Sequence, residues 1–580
     1  MTSLLRSSLL RTATLGLVLT MAVSCKGKDD DDDDDDDNDD SGQDGGADGG
    51  SDGGSDGGAD GGSDGGSDGG SDGGGDGGGG DGGFDGGGDG GGGDGGFDGG
   101  GGDGGDPDDR DGDGYTSDDC NDDDEDVHPG ADELCNRQDD DCDDDIDEDP
   151  VDGDYYAIDR DRDGLGEVGT LQLACEGVDN DWDCDDDDPS EPQVVEAGSG
   201  GGVHEGTLDD PWASIQAGID SALSCVIVLE GTYEEAISFE GRELEVWGVS
   251  GPGTTFIDAS GTGRSAVTFD DGERPAAILR GFTLTGGRGF LEETSESTAC
   301  GSGETCTDYY AIYSGGGLYV SGSDPTLIDL VIVGNDLPEA SSETVGNDDY
   351  FVYSYGGGAA FLDSAATLSG VDLHGNHADQ GGGIYVDESS IIDISRSWIN
   401  SNRAANGGGV MVDGGALTQA NVASVWNEAS TSGGGSMVVD GTLTVVNVTH
   451  GGDDAPQGGG IAAVGSSSLE LNSSIVYGAA TGEGIFVGGS SDFAGRYSDV
   501  WGNTGGNYDG VTDPTGTLGN ISQNPRFEAV SDDDNPSNDD WSLSAASPCV
   551  DIGDPAAAMD DPDGSRNDQG AFGGPGGDWD

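Results

Sequence analysis

The sequence predicts an all-β fold whose body, residues 193–580, is a single-stranded parallel β-helix, a solenoid. Three observations predict it. Glycine triplets begin at 315, 356, 381, 407, 433 and 458, at intervals of 41, 25, 26, 26 and 25 residues, and the long interval holds an insertion at 336–353. A short alternating strand follows the triplets, seen in Leu318 and Val320, Ile384 and Val386, Val410 and Val412, and Ile461 and Ala463. A second strand is marked by Leu327, Leu368, Ile392, Leu417, Leu443 and Leu469, and a third by Val331, Val371, Trp398, Val422 and Val448. Three short strands in each repeat leave no room for the crossover helices of a βαβ sheet. A coil of that circumference instead closes on itself once per repeat and stacks equivalent residues. The triplets then mark corners where φ > 0 is needed.

Ahead of the solenoid the chain divides by charge. Its 580 residues carry 122 Asp and Glu against 18 Lys and Arg, a net charge of −104, with 117 Gly. No basic face is available, which excludes a nucleic-acid binder. Arg6 and Arg11 precede an apolar run from Ala13 to Val23. A mature membrane-spanning helix needs ~20 apolar residues, so residues 1–24 read as a signal peptide. Residues 25–106 form an Asp/Gly-rich segment with 27 Asp. Glycine entropy and like-charge repulsion predict a disordered, extended tether there. Lys26 and Lys28, beside its start, are the only lysines in the chain.

Residues 107–192 hold 37 acids against 4 Arg and introduce cysteines and aromatics. Asp109, Asp111 and Asp113 alternate before Gly114, and Asp118 and Asp119 close the group. Asp159, Asp161 and Asp163 repeat the pattern before Gly164, with Glu167 behind. Alternate carboxylates on a tight turn converge on one point, and oxygen-only ligands suit a hard cation, Ca²⁺ above all. A segment so charged is expected to need cations to fold. The other reading is a solvated acidic spacer stapled by disulfides. Of ten cysteines, setting Cys25 aside leaves nine, an odd number. Cys300 and Cys306 bracket a short loop and are expected to pair. Cys225, inside the apolar run CVIVL, is the expected buried free thiol. An oxidising compartment is implied, with the other pairings open.

The solenoid opens with Asp210 as a helix N-cap and Pro211 as its first residue, followed by Trp212, Ile215, Ile219 and Ala222 at helical spacing. This predicts a helix over 211–223 that covers the open edge of the first coil. Asn335, Asn376, Asn402 and Asn427 share one turn position and can form a ladder. The next position reads Asp336, His377, Arg403, Glu428 and Asp453. Neighbouring coils lie ~4.8 Å apart, so this column is an acid–base or sugar-binding patch, or else a solvated turn ladder. His374 and His450 read as surface turn residues. Tyr319, Tyr385, Met411, Met437 and Phe486 form an outward column, either a docking face or residues shielded by insertions at 289–311 and 336–355.

Three resemblances bear on these readings. Ala22-Val23-Ser24-Cys25 resembles a bacterial lipoprotein signal. It implies lipidation of Cys25, a membrane attachment through the lipid alone and, with Lys26 next, an outer-membrane or cell-surface address. Plain secretion is the alternative. The stretch DDCNDDDEDVHPGADELCNRQDDDCDDDIDED resembles the metal-binding repeats of secreted myxobacterial and related proteins, found also in a copper-binding surface protein of methanotrophs. His128 is its only imidazole, so copper lacks its preferred ligands and calcium is favoured. The start DDPWASIQAGIDSAL…VIVLEGTYEEAI and the end DWSLSAASPCVDIGDP…DPDGSRNDQGAFGG resemble members of the pectate-lyase-like superfamily of right-handed parallel β-helices, over residues 195–575.

That superfamily hosts lyases, hydrolases, epimerases and adhesins, so the resemblance speaks to fold before activity. Its lyase chemistry implies a Lys or Arg base near carboxylate-bound calcium. With no lysine in the folded parts, the base falls to an arginine among Arg242, Arg264, Arg274, Arg280, Arg288, Arg396, Arg403 and Arg496. Arg280, His377, Arg403 and Glu428 are the catalytic candidates. The missing lysine and the absence of paired aspartates at the repeat offset favour binding or adhesion to polysaccharide or extracellular matrix. A calcium-dependent polysaccharide lyase is the rival.

Overall fold

The computed structural model describes residues 110–116, 119–200, 204–300, 305–531 and 538–579. The signal segment, Cys25, the Asp/Gly segment, Asp109 and Asp118 lie outside the described residues. The chain winds as a parallel β-helix. One wall is a ten-stranded sheet that runs from Ile237–Ser238 to Tyr508–Asp509. Leu318, Ala359, Ile384, Val410, Ser436, Ile461 and Ile485 stand one above the next in it. Val320, Phe361, Val386, Val412, Val438, Ala463 and Val487 form the parallel column two residues on. Both columns are buried and face the interior.

The glycine triplets stack as expected, for two reasons. The first glycine of each is left-handed, with φ between 58° and 66°. The second and third meet a spatial limit. A Cβ on Gly382 would lie 2.4 Å from the carbonyl oxygen of Gly408 and 2.6 Å from that of Arg403. The backbones of successive triplets touch, and Gly357 N donates to Gly381 O at 3.0 Å and Gly408 N to Gly433 O at 2.9 Å.

The expected second and third strands are halves of one longer strand, as in Thr326–Val333, Ile391–Asn400, Ala416–Val425 and Thr442–Gly451. Each bends at one left-handed residue, and Asp329, Gly370, Arg396, Asn421, Asn447 and Ser473 hold that place. Aspartate and asparagine enter this region at low cost. Two of the expected columns also shift. Leu368 stands on Ile394, because Ile391–Asn400 begins two residues ahead of its pairing, and Ile392 stands on Leu417, Leu443 and Leu469. In the third strand Leu330, Val371, Ser397, Val422 and Val448 face inward, whereas Val331 and Trp398 are one residue off that column. Trp398 packs outside, against Phe572 and Trp579.

The first helix, α1 (Ile215–Ser221), starts later than its sequence signal. Ser214 is its N-cap, and the Glu235 carboxylate accepts from Ser214 Oγ at 2.8 Å and Ile215 N at 2.7 Å. Trp212 is drawn into strand pairing instead, its N donating to Val194 O at 2.9 Å and its indole to Gln193 Oε1 at 2.8 Å. Asp210 closes the preceding turn through Glu205 N. Ile215 and Ile219 join the core beside Val195 and Val226, so α1 covers the start of the solenoid.

The two insertions build a four-stranded flap from Phe290–Ala299, Thr305–Ser314, Asp348–Tyr355 and Ser341–Val345. Cys300 and Cys306 pair at its tip, as expected. Ile312, Tyr353 and Tyr355 of the flap pack with Tyr319, Tyr385, Met411 and Met437, and Phe290 stacks on Tyr319 at 4.4 Å. The outward column is thus a shielded second core. At the other end the chain turns back along the flank. Asn421 Nδ2 donates to Ala571 O at 2.9 Å, and Gly570 N to Ser473 O at 2.8 Å.

The acidic segment carries little regular structure. Asp154–Tyr156 pairs antiparallel with Gln172–Ala174, and disulfides join Cys120 to Cys142 and Cys135 to Cys175. A third joins Cys184 to Cys225, which corrects the expectation of a free Cys225; Cys225 is buried, but in a disulfide. Among the described residues the free thiol is Cys549, buried against Asp499 with Sγ donating to Oδ2 at 3.3 Å. A burial signal alone cannot separate a paired from an unpaired cysteine.

Candidate functional site

Three features could carry chemistry: the turn column of the solenoid, the buried ladder beneath it and the carboxylate groups of the acidic segment. In the turn column Asp336, His377, Arg403 and Glu428 pair in series, as expected. Its fifth member is Asp454, not Asp453, since Glu428 bridges to Asp454. His377 Nδ1 lies 3.0 Å from Asp336 Oδ1, and Arg403 Nη2 lies 2.7 Å from Glu428 Oε2. These groups are open to water, with the Arg403 and Glu428 side chains 68% and 55% exposed. A cleft of ≈ 670 Å³ runs beside them, lined by Arg288, Asp336, Glu339, His377 and Arg403 among others. Arg288 extends it toward a second hollow at Gly261 and Gly286. No ion pair engages Arg288 among the described residues, and sequence reasoning had placed it only among eight arginines.

Arg280 belongs to a different place. It stacks over Trp247 at 3.9 Å, faces Glu245 at 3.4 Å and lines a small cavity with Trp182 and Cys184. The structure therefore brings His377, Arg403 and Glu428 together and leaves Arg280 apart. A guanidinium held by a carboxylate is a fixed, charged hydrogen-bond donor, which suits recognition of oxygen-rich ligands more than proton abstraction.

Inside this column the asparagine ladder forms as expected. Asn335 Nδ2 donates to Asn376 Oδ1 at 3.1 Å, Asn376 to Asn402 at 3.0 Å and Asn402 to Asn427 at 3.1 Å. The next rung is Asp453, which takes Asn427 N at 2.8 Å and Asn427 Nδ2 at 3.0 Å. His450, expected at the surface, is instead fully buried, with Nδ1 3.0 Å from Asp453 Oδ2. Burial pushes the Asp453 carboxyl above its ordinary range. An acid in the asparagine register was the available signal for this pair, and the shift of one residue in the outer column concealed it.

In the acidic segment the carboxylates converge. Oxygens of Asp111, Asp113 and Asp119 lie within 4.8 Å of one another, as do those of Asp159, Asp161 and Asp186. Asp111, Asp113, Asp119 and Asp161 each keep one buried carboxylate oxygen with no hydrogen-bond donor. Backbone turns place them: Asp113 N donates to Asp111, Tyr115 N to Asp113, and Leu165 N to Asp163. Burial, then repulsion by Asp161 and Asp159, pushes Asp163 up to about 6. Glu167 is held by Arg160 at 2.6 Å. Asp186, on the same Arg160 at 2.9 Å, joins the group. Sequence reasoning missed Asp183 and Asp186, although both flank Cys184 in an acidic run. Oxygen-only groups of this density fit a hard divalent cation.

No protein-family model matches the chain, and no curated protein matches it. A search of solved structures returns the crystal structure of pectate lyase Pel9A, at a TM-score of 0.33 and 14% identity, covering 67% of this chain and 99% of that one. A likeness at that level transfers nothing from that enzyme. The β-helix rests on the pairing registers of this chain.

Proposed function

We propose that this chain is a lipid-anchored surface protein whose β-helix binds polysaccharide or extracellular matrix, with calcium stabilising its acidic segment. Cys25 would carry the lipid, residues 26–106 would act as the spacer, and the address would be the outer membrane or cell surface. The observation that carries the binding reading is the open cleft beside the turn column. Arg288, His377 and Arg403 gather there in a chain with a net charge of −104. Donors of this kind can grip sugar hydroxyls and carboxylates. Convergent carboxylates with buried, donor-less oxygens support the calcium part.

A glycan screen with the purified chain in calcium tests it. Binding without turnover, weakened in Arg403→Ala and Arg288→Ala, is expected. Ultraviolet absorbance of unsaturated product from an acidic polysaccharide, lost in Arg403→Ala or Arg280→Ala, would make the protein a lyase and overturn the binding reading.

A further inference from the structure

Asp183 is the most anomalous acid near the carboxylate groups. Its residue is 1% exposed. Oδ1 accepts Asp185 N at 2.8 Å, and Oδ2 is buried with no donor. Its electrostatic neighbours are further carboxylates, Asp163, Asp161 and Asp186. Arg160, on Asp186 and Glu167, supplies the local guanidinium charge. A buried carboxylate oxygen that faces only like charge is costly unless something positive completes the site.

The position of Asp183 matters as much as its partners. Asp183 N donates to Gly166 O at 2.8 Å, and Val168 N donates to Asp183 O at 3.0 Å, so the two acidic loops are stitched together at this residue. The next residue, Cys184, is bonded to Cys225, the first residue of the solenoid strand Cys225–Val228. On its other side, Trp182 shares a small cavity with Ile227, Trp247 and Arg280 of the same end of the solenoid. A few residues on, the Glu191 carboxylate accepts from Leu223 N at 2.9 Å and Ser224 Oγ at 3.1 Å. The loop that carries the carboxylates is thus fastened on both sides to the outer face of the first coils.

We propose that Asp159, Asp161, Asp163, Asp183 and Asp186 bind a calcium-class divalent cation, and that the bound ion locks this loop as a lateral cap over the outer face of the first coils of the β-helix. The inference rests on the reading that the acidic segment takes calcium. It adds which carboxylates matter to the solenoid and what the ion does there. Extracellular calcium modules work at 10⁻⁴–10⁻³ M, so the cap would close at roughly those concentrations.

The test uses the full chain, calcium alone and three proteins: wild type, Asp183→Asn, and the double variant Asp111→Asn/Asp113→Asn at the other carboxylate group. Calorimetric titration measures binding, and hydrogen exchange reads the amides of Cys225–Val228 and Glu245–Gly248. In wild type, calcium is expected to slow exchange in both strands. Asp183→Asn should weaken one site by roughly 10–100-fold and lose that protection, while the double variant keeps it. With the cation chelated, Asp183→Asn should melt no lower than wild type, because it relieves a buried unpaired charge. A lower melt would make Asp183 a structural acceptor and overturn the proposal. Unchanged calcium binding by Asp183→Asn would overturn it too. Binding lost without any change in first-coil exchange would overturn the cap and leave calcium binding standing. If wild type binds no calcium at any site, the calcium reading itself falls and the cap with it.

Discussion

Residues 110–192 and the coils that follow are both built from short repeated elements, yet they are held together by different means. In the coils, interior columns such as Val320, Phe361, Val386 and Val412 supply burial at every turn, and the backbone bonds of one coil are completed by the next. In the acidic segment Val127, Ala157 and Leu165 are the few buried apolar side chains, and the chain is pinned by disulfides and by carboxylates that accept from backbone amides. The difference teaches that repetition gives a self-sufficient structure only where each repeat brings its own apolar surface. Elsewhere covalent links and carboxylate-to-amide hydrogen bonds take that part.

The largest expected effect tests the first half of that contrast. Phe361→Ala should cost the solenoid about 3–5 kcal/mol in denaturant unfolding, the usual loss for a buried phenylalanine. The acidic segment's own transition should stay where it was. Next, removing the Cys135–Cys175 disulfide as a double serine variant should cost the acidic segment about 2–5 kcal/mol and leave the coil transition unmoved in calorimetry. A shift of both transitions together would show that the two regions unfold as one.

A third experiment asks whether the coils carry a charge penalty of their own. Burial pushes Asp499 up to about 6 from an ordinary 3.8. The folded state therefore holds that proton more tightly than the unfolded chain. Stability contributed by the protonated form is present below the unfolded value and is lost as pH rises through about 6. Asp499→Asn should remove this slope and stabilise the coils at pH 8 by up to about 3 kcal/mol, read as the difference between the two unfolding curves across pH. The smallest effect belongs to the surface. Glu428→Gln should change coil stability by less than about 1 kcal/mol, since its pair with Arg403 is exposed. A larger loss would show the turn column to be part of the frame.

Much of the solenoid was legible because its constraint is periodic. Glycines that cannot carry a Cβ, and asparagines that must meet, print their spacing on the sequence, as Gly382 and Asn402 show. The columns of the bent strand were only half legible. A left-handed residue such as Arg396 or Ser473 leaves no compositional mark and resets which neighbours face inward. Helix α1 was found but misplaced, because Trp212 gains more from pairing with Val194 than from a helical turn. At the candidate sites, Asp111, Asp113, Asp159 and Asp161 were readable from alternation before glycine. Asp186 joins the Asp159 and Asp161 group from a distant stretch, with Asp183 beside it, and only folding reveals that. His450 could not be assigned to the interior without knowing that Asp453 completes the asparagine ladder.

The stacked glycine corners have a consequence for how such a chain can change length. Gly356 and Gly381 are bonded to their successors in the same way, so Gly407 could take the place of Gly381 beneath the coil before it. Excising residues 381–406 would then splice like onto like, bringing Asn376 over Asn427 and shortening the rod by one rise of ~4.8 Å. Losing a single residue from the same stretch would disturb only that winding and its two neighbours, and the windings here already differ by one residue, 25 against 26. A gene encoding this architecture can therefore grow or shrink by whole windings without disturbing the pairing of those that remain.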